Sequence, residues 1–259
     1  MVETTQVDRA RRFGGIARLY GAAALDLLGE AHMVVVGVGG VGSWTAEALA
    51  RSGVGRLTLI DMDHVAESNI NRQIHALDTT LGRSKIVAMA ERIAAISPQC
   101  RVDCIDDFVD PDNASSLVPP DADIVIDAID APAAKAALVA ACVRRGQAVI
   151  VCGGAGGRID SLPLAHGDLS ATRYDPLLAS VRSRLRREHG FPRVGGGRFG
   201  VSALWFDAAL PAGTQRAGGA AGTALACSGY GSLVTVTASL GFAAAGLAIG
   251  RALALREGR

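Results

Sequence analysis

Apolar and polar positions alternate along this chain in short blocks. Val34 to Val36 is an apolar run and Leu57 to Ile60 a mostly apolar one broken by Thr58, both too short for helices and bounded by glycine or acid, so each reads as a buried strand. Between them, Ala46, Leu49 and Ala50 recur at helical spacing. From Lys85 onward the alternation continues, predicting a helix over 84–96, a strand over 101–105, a helix over 112–118, a strand over 123–127, a helix over 133–145 and a strand over 148–151. Short Val/Ile runs alternating with helical segments predict an α/β fold, a Rossmann-like, doubly wound, mainly parallel sheet with helices on both faces. Such sheets bind ligands beyond the carboxyl ends of their strands.

The turn after the first strand carries Gly37, Gly39 and Gly42 in G-x-G-x-x-G register, with Gly40 added between them. Glycine lets the backbone approach a phosphate, and the unpaired N–H groups of the following helix favour negative charge. Asp61 ends the second strand, roughly twenty residues further on, where a carboxylate can accept from ribose hydroxyls. A nicotinamide oxidoreductase shares these features. The next loop separates the readings, because Asp63, Asn69, Asn71, Arg72 and Gln73 crowd it and Lys85 opens the following helix. Cations converging on one loop suit the developing charge of a cleaved triphosphate, and a dinucleotide reader has no use for them.

Composition and charge narrow the setting. The chain has 259 residues, enough for one large domain or a domain with an appended lobe, and a net charge of +1, so any nucleic-acid surface must be a local patch. We divide it into a helical segment at 1–30, a nucleotide-binding core at 31–154, a substrate-side extension at 155–228 and an apolar helix at 229–259, within a single structural domain. Residues 1 to 30 lack the pattern of a secretory leader, and five cysteines without framework spacing fit a reducing cytoplasm. Cys100, Cys104, Cys142 and Cys152 read as packing thiols. Arg182, Arg184, Arg186, Arg187, Arg193 and Arg198 form the densest basic run, a candidate RNA-contacting surface against the plainer reading of a solvated helix. Ser232 to Gly250 is uncharged and long enough to span a bilayer, but a doubly wound sheet needs cover on both faces. A buried final helix is the favoured reading, and a peripheral or membrane-anchored nucleotide-binding adaptor is the alternative.

The segments GVGGVGS at 37–43, LTLIDMDHVAESNINRQ at 57–73, Lys85 and VIDAID at 125–130 resemble the ubiquitin-activating-enzyme superfamily. RRFGGIARLYG near the start, CRVDCIDDFVDPDN in the middle and GGAGGRID after the fifth strand most resemble its tRNA threonylcarbamoyladenosine dehydratases. The resemblance implies ATP-dependent adenylation of a carboxylate on tRNA. It implies catalytic roles for Arg72, Lys85 and Asp130, and ATP contacts from Gly37, Gly39, Gly40, Gly42, Asp61, Asp63, Asn69, Arg72, Gln73, Lys85 and Asp127. Asp130 becomes the Mg²⁺ ligand with Asp127 its neighbour, although an Asp ahead of Ala131 and Pro132 also reads as a helix cap. Ala131 replaces the Asn or Ser often found there. The superfamily further implies a homodimer in which Arg12 or Arg18 reaches the partner's triphosphate, against the plainer reading of a basic helix face. A monovalent cation stands open beside Mg²⁺. Zinc-bearing relatives carry two Cys-x-x-Cys pairs, which this chain lacks, so structural zinc is not expected. Cys227 aligns with a family cysteine, a candidate reactive thiol linked to a cysteine-desulfurase sulfur-acceptor system. The rival within the superfamily is an adenylyltransferase acting on a ubiquitin-like sulfur carrier.

Overall fold

The computed structural model describes residues 7–211 and 230–257. Its seven strands are β1 (His32–Val36), β2 (Arg56–Ile60), β3 (Arg101–Ile105), β4 (Ile124–Asp127), β5 (Ala148–Cys152), β6 (Leu164–Asp168) and β7 (Ser202–Phe206). They form one sheet in the order β3-β2-β1-β4-β5-β7-β6, parallel throughout except for β6, which pairs antiparallel with β7 at one edge. The expected doubly wound α/β fold is therefore present, with the strand order reversing direction between β1 and β4.

The helices are α1 (Arg9–Tyr20), α2 (Ala24–Glu30), α3 (Gly42–Arg51), α4 (Lys85–Ile96), α5 (Ala114–Leu117), α6 (Pro132–Arg144), α7 (Pro176–Glu188) and α8 (Val234–Glu257). The central strands read as nearly continuous apolar runs, interrupted by Thr58 in β2 and ended by Asp127 in β4, because helices cover both of their faces. Alternate side chains divide the core in two: Met33, Val35, Leu57 and Ile126 pack with α2, α3, α4 and α8 on one face. Val34, Val36, Val125 and Val149 pack with α6 and α7 on the other.

The sequence reading assigned no strands or helices to the extension at 155–228. Its described part supplies β6, α7 and β7 and continues the same sheet. β6 was illegible because its sequence, LAHGD, carries His and Gly in place of an apolar run. The helix expected over 112–118 shortens to the single turn α5, since the Asp110 carboxylate accepts from the backbone N–H groups of Asp112 and Asn113 and holds a turn ahead of it. Cys104 is not a buried packing thiol. It lies on the edge strand β3 and is exposed, whereas Cys142 and Cys152 are buried as expected.

α8 resolves the apolar stretch near the end of the chain. Val236, Leu240, Ala244, Ala248 and Ala252 lie at four-residue spacing and are all buried in the sheet-facing core. Val234–Arg256 is long and apolar enough to cross a bilayer by length and composition, but half of that window is buried inside the protein. The crossing with α3 depends on Gly241. A Cβ there would stand 2.6 Å from the Val41 carbonyl oxygen and 2.9 Å from Trp44 Cβ, while the Thr45 hydroxyl donates to the Gly241 carbonyl at 3.1 Å. Gly241→Leu is expected to force the two helices apart and to cost about 1–3 kcal/mol, the usual range for overpacking, read as a lowered midpoint of chemical unfolding.

Candidate active site

A cleft of about 530 Å³ opens beyond the carboxyl ends of β1, β2, β4 and β5. Gly37, Gly39 and Gly40 form its floor, Asp61, Asp63 and Lys85 one wall, and Asp130 with Gly153 and Gly154 the opposite wall. The floor is shaped by backbone geometry. Gly37 has φ +85°, a conformation that side chains disfavour, and its N–H donates to the Ile60 carbonyl at 2.9 Å. Gly42 does not line the cleft. A Cβ on it would lie 1.9 Å from the Gly37 carbonyl oxygen, so it permits the turn to pack on α3 and leaves phosphate contact to the other glycines.

Asp61 ties this floor to the neighbouring loop. Its carboxylate accepts from Val38 N at 2.7 Å and from Asp63 N at 2.8 Å. Burial pushes its pKa up, and the nearby Lys85 charge and the two backbone donors oppose that rise. Lys85 is itself buried and donates to Asp63 Oδ2 at 2.7 Å. Asn69 folds the loop, its side-chain oxygen accepting from Ala66 N at 3.0 Å. One Arg72 terminal nitrogen, Nη1, donates to the Ser68 carbonyl at 2.7 Å and to Asn71 Oδ1 at 3.0 Å, which leaves the guanidinium on the cleft wall. Gln73 is buried beside Gly39, and its Oε1 has no hydrogen-bond partner among the described residues.

Asp130 lines the cleft, and the helix-cap reading does not apply to it. The N-cap of α6 is Ala131, with no side-chain cap bond. Asp127, expected on the nucleotide, is not brought into the cleft. It is fully buried beside an equally buried Lys135, whose Nζ donates to Asp127 Oδ1 at 2.8 Å and to the Asp127 and Ile129 carbonyls at 3.0 Å each. Burial pushes the Asp127 pKa up, and the Lys135 charge opposes this. The sequence reading missed Lys135. Its only signal was a single cation within the alanine-rich run of α6.

Two groups of cleft residues and one buried residue outside the cleft lining escaped notice. Asp107, Phe108 and Val109 come from the loop after β3, Ser232 from just before α8 and Thr237 from its first turn. Asn71 Nδ2 donates to the Ser232 carbonyl at 2.9 Å, and Trp44 Nε1 donates to the Arg72 carbonyl at 2.9 Å, so residues distant in sequence hold the arginine loop. The third is His75, buried behind this loop with neither ring nitrogen hydrogen-bonded among the described residues. Burial, followed by the Lys85 and Arg92 charges, lowers its pKa to about 4.

The basic run divides. Arg182 donates to the Thr172 hydroxyl, and Arg186 donates to the Pro192 carbonyl and lies 5.0 Å over the Phe199 ring, so both serve the fold. Arg184 and Arg187 share Glu188, Arg198 sits 3.8 Å from Asp168 with its side chain 84% exposed, and Arg193 is exposed. Arg12 donates to the Ile96 carbonyl at 2.7 Å, at the opposite end of α4 from Lys85, and Arg18 is exposed. Burial pushes the thiols of Cys142 and Cys152 up to about 12 and that of Cys100 up to about 11, which suppresses thiolate character. Cys227 lies outside the described residues.

Two outcomes test this arrangement. Lys135→Met strands a buried carboxylate and is expected to cost about 3–5 kcal/mol, read by urea unfolding near neutral pH. His75 has a folded pKa of about 4 against 6.5 when unfolded, so the unfolded chain binds the extra proton between those values. Its contribution is complete above pH 6.5 and is lost as pH falls towards 4. Against His75→Leu, the wild type should therefore lose on the order of 3 kcal/mol more stability across that range, measured as the difference between the two pH–stability curves.

The ThiF family profile matches residues 14–187. The tRNA threonylcarbamoyladenosine dehydratase of Escherichia coli K12 is 46% identical over 252 residues, covering 94% of each chain. That of Haemophilus influenzae is 44% identical over 244 residues, again covering 94% of each. A crystal structure of the E. coli enzyme in complex with ATP superposes with a TM-score of 0.85 at 44% identity, covering 96% of this chain and 97% of that one. The molybdopterin-synthase adenylyltransferase of Salmonella typhimurium is 34% identical over 117 residues, only 45% of this chain. With the nucleotide turn, the arginine loop and the acidic wall all inside the matched span, this chain belongs to the ThiF family.

Proposed function

We propose that this protein catalyses the ATP-dependent dehydration of threonylcarbamoyladenosine in tRNA, through adenylation of the threonyl carboxylate and ring closure. The observation that carries the reading is the convergence of Arg72, Lys85 and Asp130 on one cleft above the glycine turn. Full-length similarity to dehydratases, including one bound to ATP, supports it. The sulfur-carrier reading rests on a relative that matches less than half of the chain. A nicotinamide site gives no reason for Arg72 and Lys85.

The ATP phosphates lie over Gly37, Gly39 and Gly40, where the turn's backbone offers room and positive potential. The ribose lies at Asp61, and the adenine extends toward Phe108 and Val109 on the open side of the same wall. A carboxylate oxygen of the substrate attacks the α-phosphorus, the bond to the bridging oxygen breaks, and pyrophosphate leaves. Arg72 and Lys85 stabilise the charge that develops on the phosphoryl oxygens. The acyl-adenylate is then attacked at its carbonyl carbon by a ureido nitrogen of the same substituent. That nitrogen loses its proton, AMP leaves with the former carboxylate oxygen, and the product is one water lighter than the substrate.

The donor set fits Mg²⁺. Asp130 offers hard carboxylate oxygens to the cleft, and Mg²⁺ commonly takes one or two carboxylates with phosphate and water completing its shell. Asp127 does not fit, being enclosed and matched by Lys135. Bound there, Mg²⁺ would neutralise phosphate charge. Arg184, Arg187, Arg193 and Arg198 form the tRNA-facing part of the basic run. A homodimer would use Arg18, since Arg12 is engaged within its own chain. Such an enzyme works in the cytoplasm, where α8 serves as core, and Cys227 would connect the protein to sulfur-acceptor chemistry without taking part in the ring closure.

The test is to incubate the protein with ATP, Mg²⁺ and tRNA bearing threonylcarbamoyladenosine, then to read the nucleoside by mass spectrometry after mild digestion. ATP-dependent loss of one water with release of AMP supports the assignment; an unchanged nucleoside in the presence of bound ATP defeats it. Arg72→Ala is expected to lower turnover roughly a hundredfold or more, the scale of losing one donor to a transition-state charge. Near-normal AMP release would remove Arg72 from that role.

A further inference from the structure

A second, smaller cavity adjoins the cleft. It shares Asp130, Gly154, Gly156 and Leu177 with the cleft and is further lined by Arg158, Asp175, Pro176, Leu210 and Tyr230. Its volume of about 40 Å³ accommodates about three water-sized groups, on a scale of roughly 10–15 Å³ for each.

Its wall is held by buried charged groups on both sides of Gly154. Asp175 Oδ2 accepts from Gly154 N at 2.9 Å, and Asp175 Oδ1 accepts from Leu178 N at 2.9 Å, capping α7. The Arg158 guanidinium donates to the Gly154 carbonyl at 3.1 Å, to the Ala208 carbonyl at 2.9 Å and to the Tyr174 carbonyl at 2.8 Å, and lies 5.3 Å over the Phe206 ring. Both residues are at least nine-tenths buried. Tyr174 is the one described non-glycine residue with positive φ, at 53°, and the Arg158 bond to its carbonyl helps hold it there. A Cβ on Gly153 would come within 2.2 Å of Asp175 Oδ2, so this wall has little room to move.

The lining selects its occupant. Two carboxylates, Asp130 and Asp175, stand against one guanidinium, which disfavours an anion. Pro176, Leu177 and Leu210 favour carbon. The substrate carboxylate therefore belongs in the main cleft beside Arg72 and Lys85, and an uncharged group attached to it can turn into the side cavity. Resting on the dehydratase reading above, we infer that this cavity is the subsite for the amino-acid side chain of the carbamoyl substituent, sized for the three heavy atoms of a 1-hydroxyethyl group. Arg158 and Asp175 act as positioning residues that keep its volume constant.

The test uses the full-length protein with tRNAs whose carbamoyl substituent carries threonine, glycine, or the threonine homologue with ethyl in place of methyl. For the wild type, kcat/KM for threonine should exceed that for either analogue by about tenfold or more, the discrimination usual for a missing or extra carbon group in a tight pocket. Leu210→Ala should raise the ethyl homologue relative to threonine by about tenfold. Leu210→Phe should lower the threonine rate to that of glycine, with ATP affinity unchanged by calorimetry. Should Leu210→Phe fail to fold, the ratio in Leu210→Ala decides alone. Wild-type activity on the threonine substrate with the same selectivity in Leu210→Ala would overturn the subsite and leave the dehydratase reading intact. Wild-type inactivity on that substrate would overturn both.

Discussion

The carboxylate of Asp61 joins the two halves of the nucleotide cleft, and most of the site's geometry depends on it. One oxygen fixes the glycine turn through Val38 N, and the other fixes the start of the arginine loop through Asp63 N. Both donors are backbone groups, so the link constrains the chain itself. Lys85 adds the opposing charge and reaches Asp63 from the first turn of α4. Removing the carboxylate from water is unfavourable, and it is tolerated because the turn and loop supply donors at the place where charge is needed.

The opposite wall is built by a different device. Asp127 and Lys135 form a fully buried pair whose remaining donors go to backbone carbonyls at the end of β4. The pair orders the segment that carries Asp130 and does not itself enter the cleft. Gly154 is held from both sides by Asp175 and Arg158, so the extension after β5 acts as a rigid boundary of the site.

The last helix closes the assembly. Ser232 just ahead of it and Thr237 in its first turn contact the loop bearing Asn71 and Arg72, and Gly241 lets its backbone approach α3. An apolar stretch with the composition of a membrane span thus forms part of the core on one face of the sheet and borders the cleft at its N-terminal end. Glycine and threonine within it serve close packing and hydrogen bonding to α3 and the arginine loop.

The nucleotide half of the protein was legible in the sequence because its signals are local. Buried parallel strands are almost wholly apolar, a turn that approaches phosphate favours glycine, and Asp61, Arg72 and Lys85 occur within a short span at the end of the second strand and just beyond it. Their positions follow from chain connectivity alone. β6, the Asp127–Lys135 pair, the hold of Arg158 and Asp175 on Gly154 and the internal use of Arg182 and Arg186 were decided only by the tertiary structure. In each case the meaning of a charged or polar residue depends on a partner brought to it by the sheet. A lysine in an alanine-rich helix, or an arginine in a basic run, has the same local sequence whether it faces water or a buried carbonyl. Burial determines which, and burial is a property of the packed chain.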